Sequence, residues 1–301
     1  MNRRFEITDE EWERLALLLP AMTPQRGGRW RDHRQVLNGI LFRTRTGVPW
    51  RDVPERYGPW ETLYKRFARW QPDGTWARIE AALRTPGRWG RGAGLGRPDR
   101  LQRGRGPPAR RWGQEKGIAS IQARRQQALG RSRGGLTTKL HTVCDGRGRN
   151  LATRLTPGQD ADTSELVGLG DAVRVARPGG RGRPRMRPDH LTADKAYSSR
   201  ANRVALRARH IPHTIPERAD QKANRVRKGA RGGRPPAFDR VRYRQRNQVE
   251  RLMNRRKQFR AVATRFDKLA VRYQATVGVA DIFIWLRARP DQPQHDPRNT
   301  P

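Results

Sequence analysis

The sequence predicts an α/β chain in which a small all-α domain precedes a sheet-containing one. Three observations carry this. Apolar residues recur at helical spacing across residues 8–83, two alternating β-branched runs flank Asp145-Gly146, and a short apolar run ending at Asp194 is followed much later by a helical pattern holding Glu250.

In chain order, Thr8-Asp9-Glu10-Glu11 opens the first helix as an N-cap with a carboxylate three positions on. Trp12, Leu15, Leu18 and Leu19 then form an apolar stripe up to Pro20. A Gly/Arg loop at 26–31 leads to a second helix carrying Val36, Leu37, Ile40 and Leu41 and ending near Gly47. Pro49 to Pro54 predicts a short helix, Tyr57-Gly58-Pro59 a turn, and Trp60 to Trp70 a third helix with Leu63, Tyr64 and Phe67 on one side. Lys65, Arg66 and Arg69 are expected on its outer face, with Arg51 just upstream. Helix, tight turn, helix with outward cations is the pattern of a helix-turn-helix DNA reader, and the same pattern also describes an ordinary small helical bundle.

From residue 85 to 127 Gly, Arg and Pro dominate and neither helix nor strand can be read, so this stretch taken alone is a basic linker or arm. Leu136–Cys144 and Leu151–Thr156 alternate as strands, and Asp145-Gly146-Arg147-Gly148 between them signals a hairpin with Asp145 as a turn acid. His141 is expected on the strand surface. A helix follows at 163–175, capped by Asp160 and Asp162, then a Gly/Arg/Pro loop at 177–188. His190 to Asp194 predicts a short buried strand ending on an acid, Ser198 to His210 a helix, and Ile211 to Pro216 an edge strand, since its prolines cannot donate to a central ladder. Residues 217–237 read as a long basic loop, Tyr243–Lys257 as one helix, and Leu269–Leu286 as a core-covering helix before a flexible tail at 289–301.

Composition narrows the partners. The 301 residues carry 66 basic and 28 acidic side chains, a formal charge of +38, nearly all of it arginine. A chain so charged repels itself unless it meets a polyanion, and arginine forks suit phosphate, so nucleic acid is the expected partner. A GC-rich genome explains part of the arginine excess and none of the shortage of acids. The lone Cys144 excludes an intramolecular disulfide and a cysteine-clustered zinc site. The apolar run near the C-terminus is broken by Arg272, Gln274 and Asp281 and is too polar to span a bilayer, and no apolar signal segment follows the N-terminal arginines. The expectation is a cytoplasmic, nucleoid-associated bacterial protein without a membrane partner.

The stretch Tyr243 to Lys257 sets a single acid, Glu250, among cations. On one helix, Tyr243, Arg246, Glu250 and Lys257 share a face while Val249, Leu252, Met253 and Phe259 turn inward. Hairpin, strand ending in Asp, helix, strand and a late helix carrying Glu is the element order of a ribonuclease-H-like fold. The spacing Tyr243-x2-Arg246-x3-Glu250-x6-Lys257 resembles the signature around the catalytic glutamate of IS4/IS5-like, DDE-type insertion-sequence transposases. Leu129 to Lys139, Ala193-Asp-Lys-Ala-Tyr197, Gly232-Gly-Arg-Pro-Pro236 and Ala263 to Ala270 resemble IS5-family members too. The resemblance covers roughly 1–84 and 128–288, and the motifs come in the right order.

That resemblance implies a helical DNA-binding domain at 1–84, an anomalous segment at 85–127 and a ribonuclease-H-like catalytic domain at 128–288. It implies Asp194 and Glu250 as second and third catalytic acids and metal ligands, Mg²⁺ or Mn²⁺ as cofactor, and Arg246 and Lys257 as phosphate-binding cations, with Tyr243 completing the signature. It further implies terminal inverted repeats and target DNA as partners of a homo-oligomer, with strand cutting and joining as the reaction. A DNA-binding protein without chemistry, a remnant or repressor, is the alternative. An RNA-binding structural protein fits the charge but does not predict an acid at Glu250.

The first catalytic Asp of the family is missing. Where the family has a segment like Asp-Ser-Thr-Val-Val-Arg-Ala-His-Gln-His-Ala-Ala-Gly-Ala-Arg-Lys-Lys-Gly, this chain has Arg100 to Gly117. The two are related as codons: CAG CAC GCC GCT GGG GCC AGG AAA AAG GGC encodes the family peptide from its Gln. With a C in front, and read from that C, it encodes Pro108-Ala-Arg-Arg-Trp-Gly-Gln-Glu-Lys-Gly117. The expectation is that about 85–124 is read out of frame, that the sheet lacks its central strand, and that Asp99 is no substitute ligand; a genuine basic insertion is the other reading.

Overall fold

The structure is a computed structural model that describes residues 5–23, 28–84, 102–104, 125–132, 135–177 and 182–288. Asp99, the rest of 85–101 and 105–124, and the tail from 289 lie outside the described residues.

Helix α1 (Asp9–Ala16) begins with a reciprocal cap: the Glu11 N–H donates to Thr8 Oγ1 and the Thr8 N–H to Glu11 Oε2, each at 3.2 Å. Helix α2 (His33–Thr46) is capped by Asp32 and stops at Gly47, whose φ of 72° only glycine adopts freely. Two 3-10 turns, Trp50–Asp52 and Glu55–Tyr57, lead to α3 (Trp60–Arg69). A tight turn through Gly74 (φ 76°) then starts α4 (Thr75–Leu83), whose Trp76, Ile79 and Leu83 are buried.

The described residues after this combine helix with sheet. β3 (Gly135–Cys144) pairs antiparallel with β4 (Asn150–Pro157), with a bulge at Val143/Cys144, forming the expected hairpin. β3 takes two further short antiparallel partners: β1 (Gln102–Gly104) beside Thr138–Leu140, on the edge opposite β4, and β2 (Gly130–Ser132) beside Gly135–Thr137. β5 (Leu191–Thr192) and β6 (His213–Thr214) form a separate parallel pair. Among the described residues no ladder joins the two sheets. The expected loss of the strand beside β3 is therefore corrected in part: a three-residue strand lies there.

Seven further helices are described, in the expected order save for three corrections. α5 (Glu165–Ala172) and α6 (Arg200–Ala208) stand where the pattern put them. Within 217–237, read as a loop, α7 spans Ala219–Arg227 and a 3-10 turn Gly229–Gly232. Its residues have good helix propensity, and it escaped notice because an exposed helix needs no apolar stripe. The expected single helix from Tyr243 is two, α8 (Arg240–Arg244) and α9 (Asn247–Lys257), linked by bonds of the i to i+3 kind from Arg246 N to Tyr243 O and from Val249 N to Arg246 O. After a short α10 (Arg260–Ala263), α11 (Ala270–Leu286) is buried without interruption from Ala275 to Leu286. It fills the core rather than covering it, as a helix apolar on all sides must.

The main core is continuous from the N-terminal helices (Leu37, Ile40, Leu63, Phe67, Trp76) through α11 (Val277, Ala280, Phe283) to the hairpin and α9 (Leu140, Val249, Leu252). α4 approaches α11 so closely at Gly278 that a Cβ there would lie 2.6 Å from Glu80 Oε1. A second, smaller core of Leu166, Leu191, Ala193, Tyr197, Leu206 and Ile215 belongs to the β5–β6 unit. Among the described residues no helix is long and apolar enough to cross a membrane.

Candidate functional site

Glu250 lies in the first turn of α9, where the helix dipole favours a carboxylate, and its Oε1 meets Arg246 Nη1 at 3.3 Å. Arg246 also lies over the Tyr243 ring, Cζ 5.2 Å from its centroid, so three of the four signature residues stay together despite the helix break. Lys257 is exposed at the far end of α9. Val249, Leu252, Met253 and Phe259 are buried, as the spacing required.

The inward face of α9 holds one residue that the sequence reading missed. Arg256 is 1% exposed; its Nε and Nη2 donate to the two oxygens of Asp281 at 2.8 and 2.6 Å, Nη1 to Thr142 Oγ1 at 2.7 Å and Nη2 to Thr153 Oγ1 at 2.8 Å. Asp281 Oδ2 also accepts from Asn150 Nδ2 at 2.8 Å. This network ties α9 and α11 to the hairpin. Its signal was present: Arg256 stands seven residues from Val249 on the apolar face, and Asp281 interrupts an apolar helix.

Asp194 ends β5 and caps the 3-10 turn Lys195–Tyr197, its Oδ1 accepting from the Lys195 N–H at 2.6 Å. Tyr197 is buried and its hydroxyl lies 3.4 Å from His141 Nδ1, which couples the β5 unit to the hairpin. His141 is not on the surface: it is fully buried, with Nε2 2.6 Å from Thr156 Oγ1. Tyr197 of the β5 unit lies against it, a packing that alternation along one strand cannot reveal. Asp145 is the turn acid expected, accepting from the Arg147 and Arg149 N–H groups at 2.9 Å each. Asp162 does not cap by its side chain; it pairs with Lys139 Nζ at 2.6 Å.

Burial, then Lys139 and Arg154, push the His141 imidazole down to about 3. The sign follows. The unfolded chain binds a proton below about 6.5 that the folded chain refuses, so this group's stabilisation is complete above pH 6.5 and is lost as pH falls towards 3. The loss amounts to about 5 kcal/mol at the acid limit. Urea midpoints at pH 7 and pH 4 are expected to differ markedly in the wild type and less in His141→Gln; equal differences would remove His141 as the cause.

In the N-terminal helices, Arg51, Lys65 and Arg69 are exposed, with Arg51 Cζ 5.3 Å from the Trp60 ring centroid. Arg66, expected beside them, is buried. It lies over Trp30 at 4.1 Å and donates from Nη1 to His33 Nδ1 at 2.7 Å. An arginine can only donate, so His33 presents a bare Nδ1 and gives its Nε2 proton to Pro20 O at 2.9 Å. Burial first, then Arg69, lower the Arg66 guanidinium to about 10. Its place on α3 beside Leu63 and Phe67 puts it under the loop that carries Trp30, which the helix pattern alone leaves open.

A family built on three carboxylates implies a divalent cation. Among the described residues no group of three or more His, Cys, Asp or Glu side chains stands close enough to hold one. The donors present do not fit a complete site, with Asp194 accepting from the Lys195 N–H and Glu250 engaged by Arg246.

Comparison with known proteins agrees on descent. Residues 7–102 match the family described as "Putative transposase of IS4/5 family", and residues 97–280 match "Transposase DDE domain". The chain is 32% identical over 77 residues to y4sN, an uncharacterised protein of Sinorhizobium fredii, covering 62% of that protein and 26% of this one. It is 31% identical over 152 residues to "Putative transposase for insertion sequence element IS6501" of Brucella ovis, spanning all of that protein and 50% of this chain. It is 37% identical over 124 residues to "Putative transposase for insertion sequence element IS402" of Burkholderia cepacia, covering 54% of that protein and 40% of this chain. No solved structure matches.

Proposed function

We propose, because this chain belongs to the DDE-type transposases, that it is an insertion-sequence transposase of the IS4/5 kind that binds DNA and whose strand cutting is impaired in this copy. On this reading residues 1–84 engage terminal inverted repeats, with Arg51, Lys65 and Arg69 facing the DNA and Arg66 holding the fold behind them. Residues 128–288 form a ribonuclease-H-like domain; the hairpin, β5, α6, β6 and α9 come in the order that supports it. Asp194 and Glu250 occupy the second and third catalytic positions by descent, and Arg246 and Lys257 contact phosphate. The assembly on DNA is a homo-oligomer.

The observation that carries the loss of cutting is the donor set. A DDE domain works with divalent cations, Mg²⁺ or Mn²⁺ here, because oxygen-only ligands suit hard ions. Among the described residues no three His, Cys, Asp or Glu side chains gather into a metal site, and the strand beside β3 reads Gln102-Arg103-Gly104, with no acid. Losing one ligand leaves the basic surface intact, so binding outlasts catalysis.

A gel shift on duplex bearing the element's inverted repeats, with a nicking assay in Mg²⁺ or Mn²⁺, separates the readings. Retained binding without metal-dependent nicking is expected. Nicking that disappears in Asp194→Ala would establish a working enzyme and overturn the proposal.

A further inference from the structure

A groove of about 1500 Å³ opens between α6 on one side and α7 with the segment through Pro236 on the other. Arg200, Arg203 and Arg207 line its first wall, at successive spacings of three and four that keep them on one face of α6. Lys228 and Arg231, three residues apart on a 3-10 turn where such positions stack, line the second, with Arg234 after the chain leaves that turn at Gly233. Glu217 is the one carboxylate in the lining, and it is spoken for: both its oxygens accept from Arg225, at 3.2 and 2.9 Å. Among the described residues no ion pair reaches Arg200, Arg207, Lys228, Arg231 or Arg234. Like charges at these spacings cost helix stability, so a row of them on each wall of one concavity calls for a polyanion to offset them.

The lining also says how that polyanion is read. It holds no Phe, Tyr or Trp on which an unpaired base could stack. Its two amides, which could read base edges, are engaged: Gln221 accepts from Ser198 Oγ at 2.7 Å and donates to Ser198 O at 2.8 Å, and Asn224 Oδ1 accepts from Arg227 at 2.9 Å. We propose that this groove seats the phosphodiester backbone of duplex DNA without reading its sequence, apart from any recognition of the element's ends by the N-terminal helices. The inference rests on the reading of the chain as a DNA binder and assigns that binder a second contact surface.

The test is equilibrium binding of the full chain to a duplex that lacks the inverted repeats, over a range of salt. In the triple variant Arg200→Gln, Arg207→Gln, Arg231→Gln the slope of log K against log salt is expected to fall by about 3. Affinity should drop on the order of 100-fold at about 0.1 M salt, alike on repeat-bearing and repeat-free duplex. An unchanged thermal melt shows that these exposed side chains carry no fold. A control removing as much charge elsewhere, Arg78→Gln, Arg174→Gln, Arg187→Gln, should keep most of the slope. If the wild type binds no duplex, the DNA-binding reading itself fails. If it binds and the triple variant keeps its slope, if the control loses as much, or if only repeat-bearing duplex is affected, the groove assignment is wrong.

Discussion

Returning residues 85–124 to the frame that encodes an Asp-Ser-Thr-like segment is expected to convert a DNA binder into a DNA-cutting enzyme. The present chain should show no metal-dependent nicking, and the restored one a rate enhancement at least on the order of 10⁶ over the uncatalysed reaction. Asp194→Ala in the restored chain should abolish it. The physical ground is twofold. A third carboxylate would complete the oxygen donors that Asp194 and Glu250 begin. A full-length strand beside β3 would also give β5 a neighbour, joining two sheets that are separate here and bringing the acids of the two units onto one frame. The restored chain should therefore resist protease better as well. The gene decides the premise first: if no pair of single-base shifts recovers the Asp-Ser-Thr-like segment, residues 85–124 are a genuine insertion and the experiment loses its basis.

Breaking the buried pair at the centre of the fold should unfold the protein more effectively than any surface change. Asp281→Ala leaves the Arg256 guanidinium, 1% exposed, without its carboxylate, and is expected to cost about 3–5 kcal/mol in urea denaturation. Arg256→Ala should cost a similar amount, because Asp281 would retain only the Asn150 amide. The double variant Arg256→Met/Asp281→Leu removes both charges and should recover a large part of the loss, with Thr142, Thr153 and Asn150 left short of partners. Additive single costs in that double variant would show that the pair is not coupled.

Local order was legible in the sequence to the extent that it is made by neighbours in the chain. The Thr8/Glu11 cap, the stop at Gly47, the Asp145-Gly146 hairpin and the apolar helix ending at Leu286 all stand where the pattern put them. Each depends on groups a few residues apart. The reading went astray where pattern and propensity part company, at the exposed helix α7, and where a helix tightened at Gln245–Arg246 without a glycine or proline to announce it.

Of the candidate site, the sequence by itself determined the identities and the spacing: an acid just past the short β5 run, another four residues on from Arg246 in a helical pattern, and a deep excess of cations. Only the tertiary structure decided which charges are available. It buries Arg66 between tryptophans, sets His141 against Tyr197 from a 3-10 turn 56 residues on, pairs Arg256 with Asp281, and brings Arg200 and Arg231 to opposite walls of one groove. Capping and periodicity act over one turn of chain, whereas burial and pairing depend on which distant surface lands on a residue.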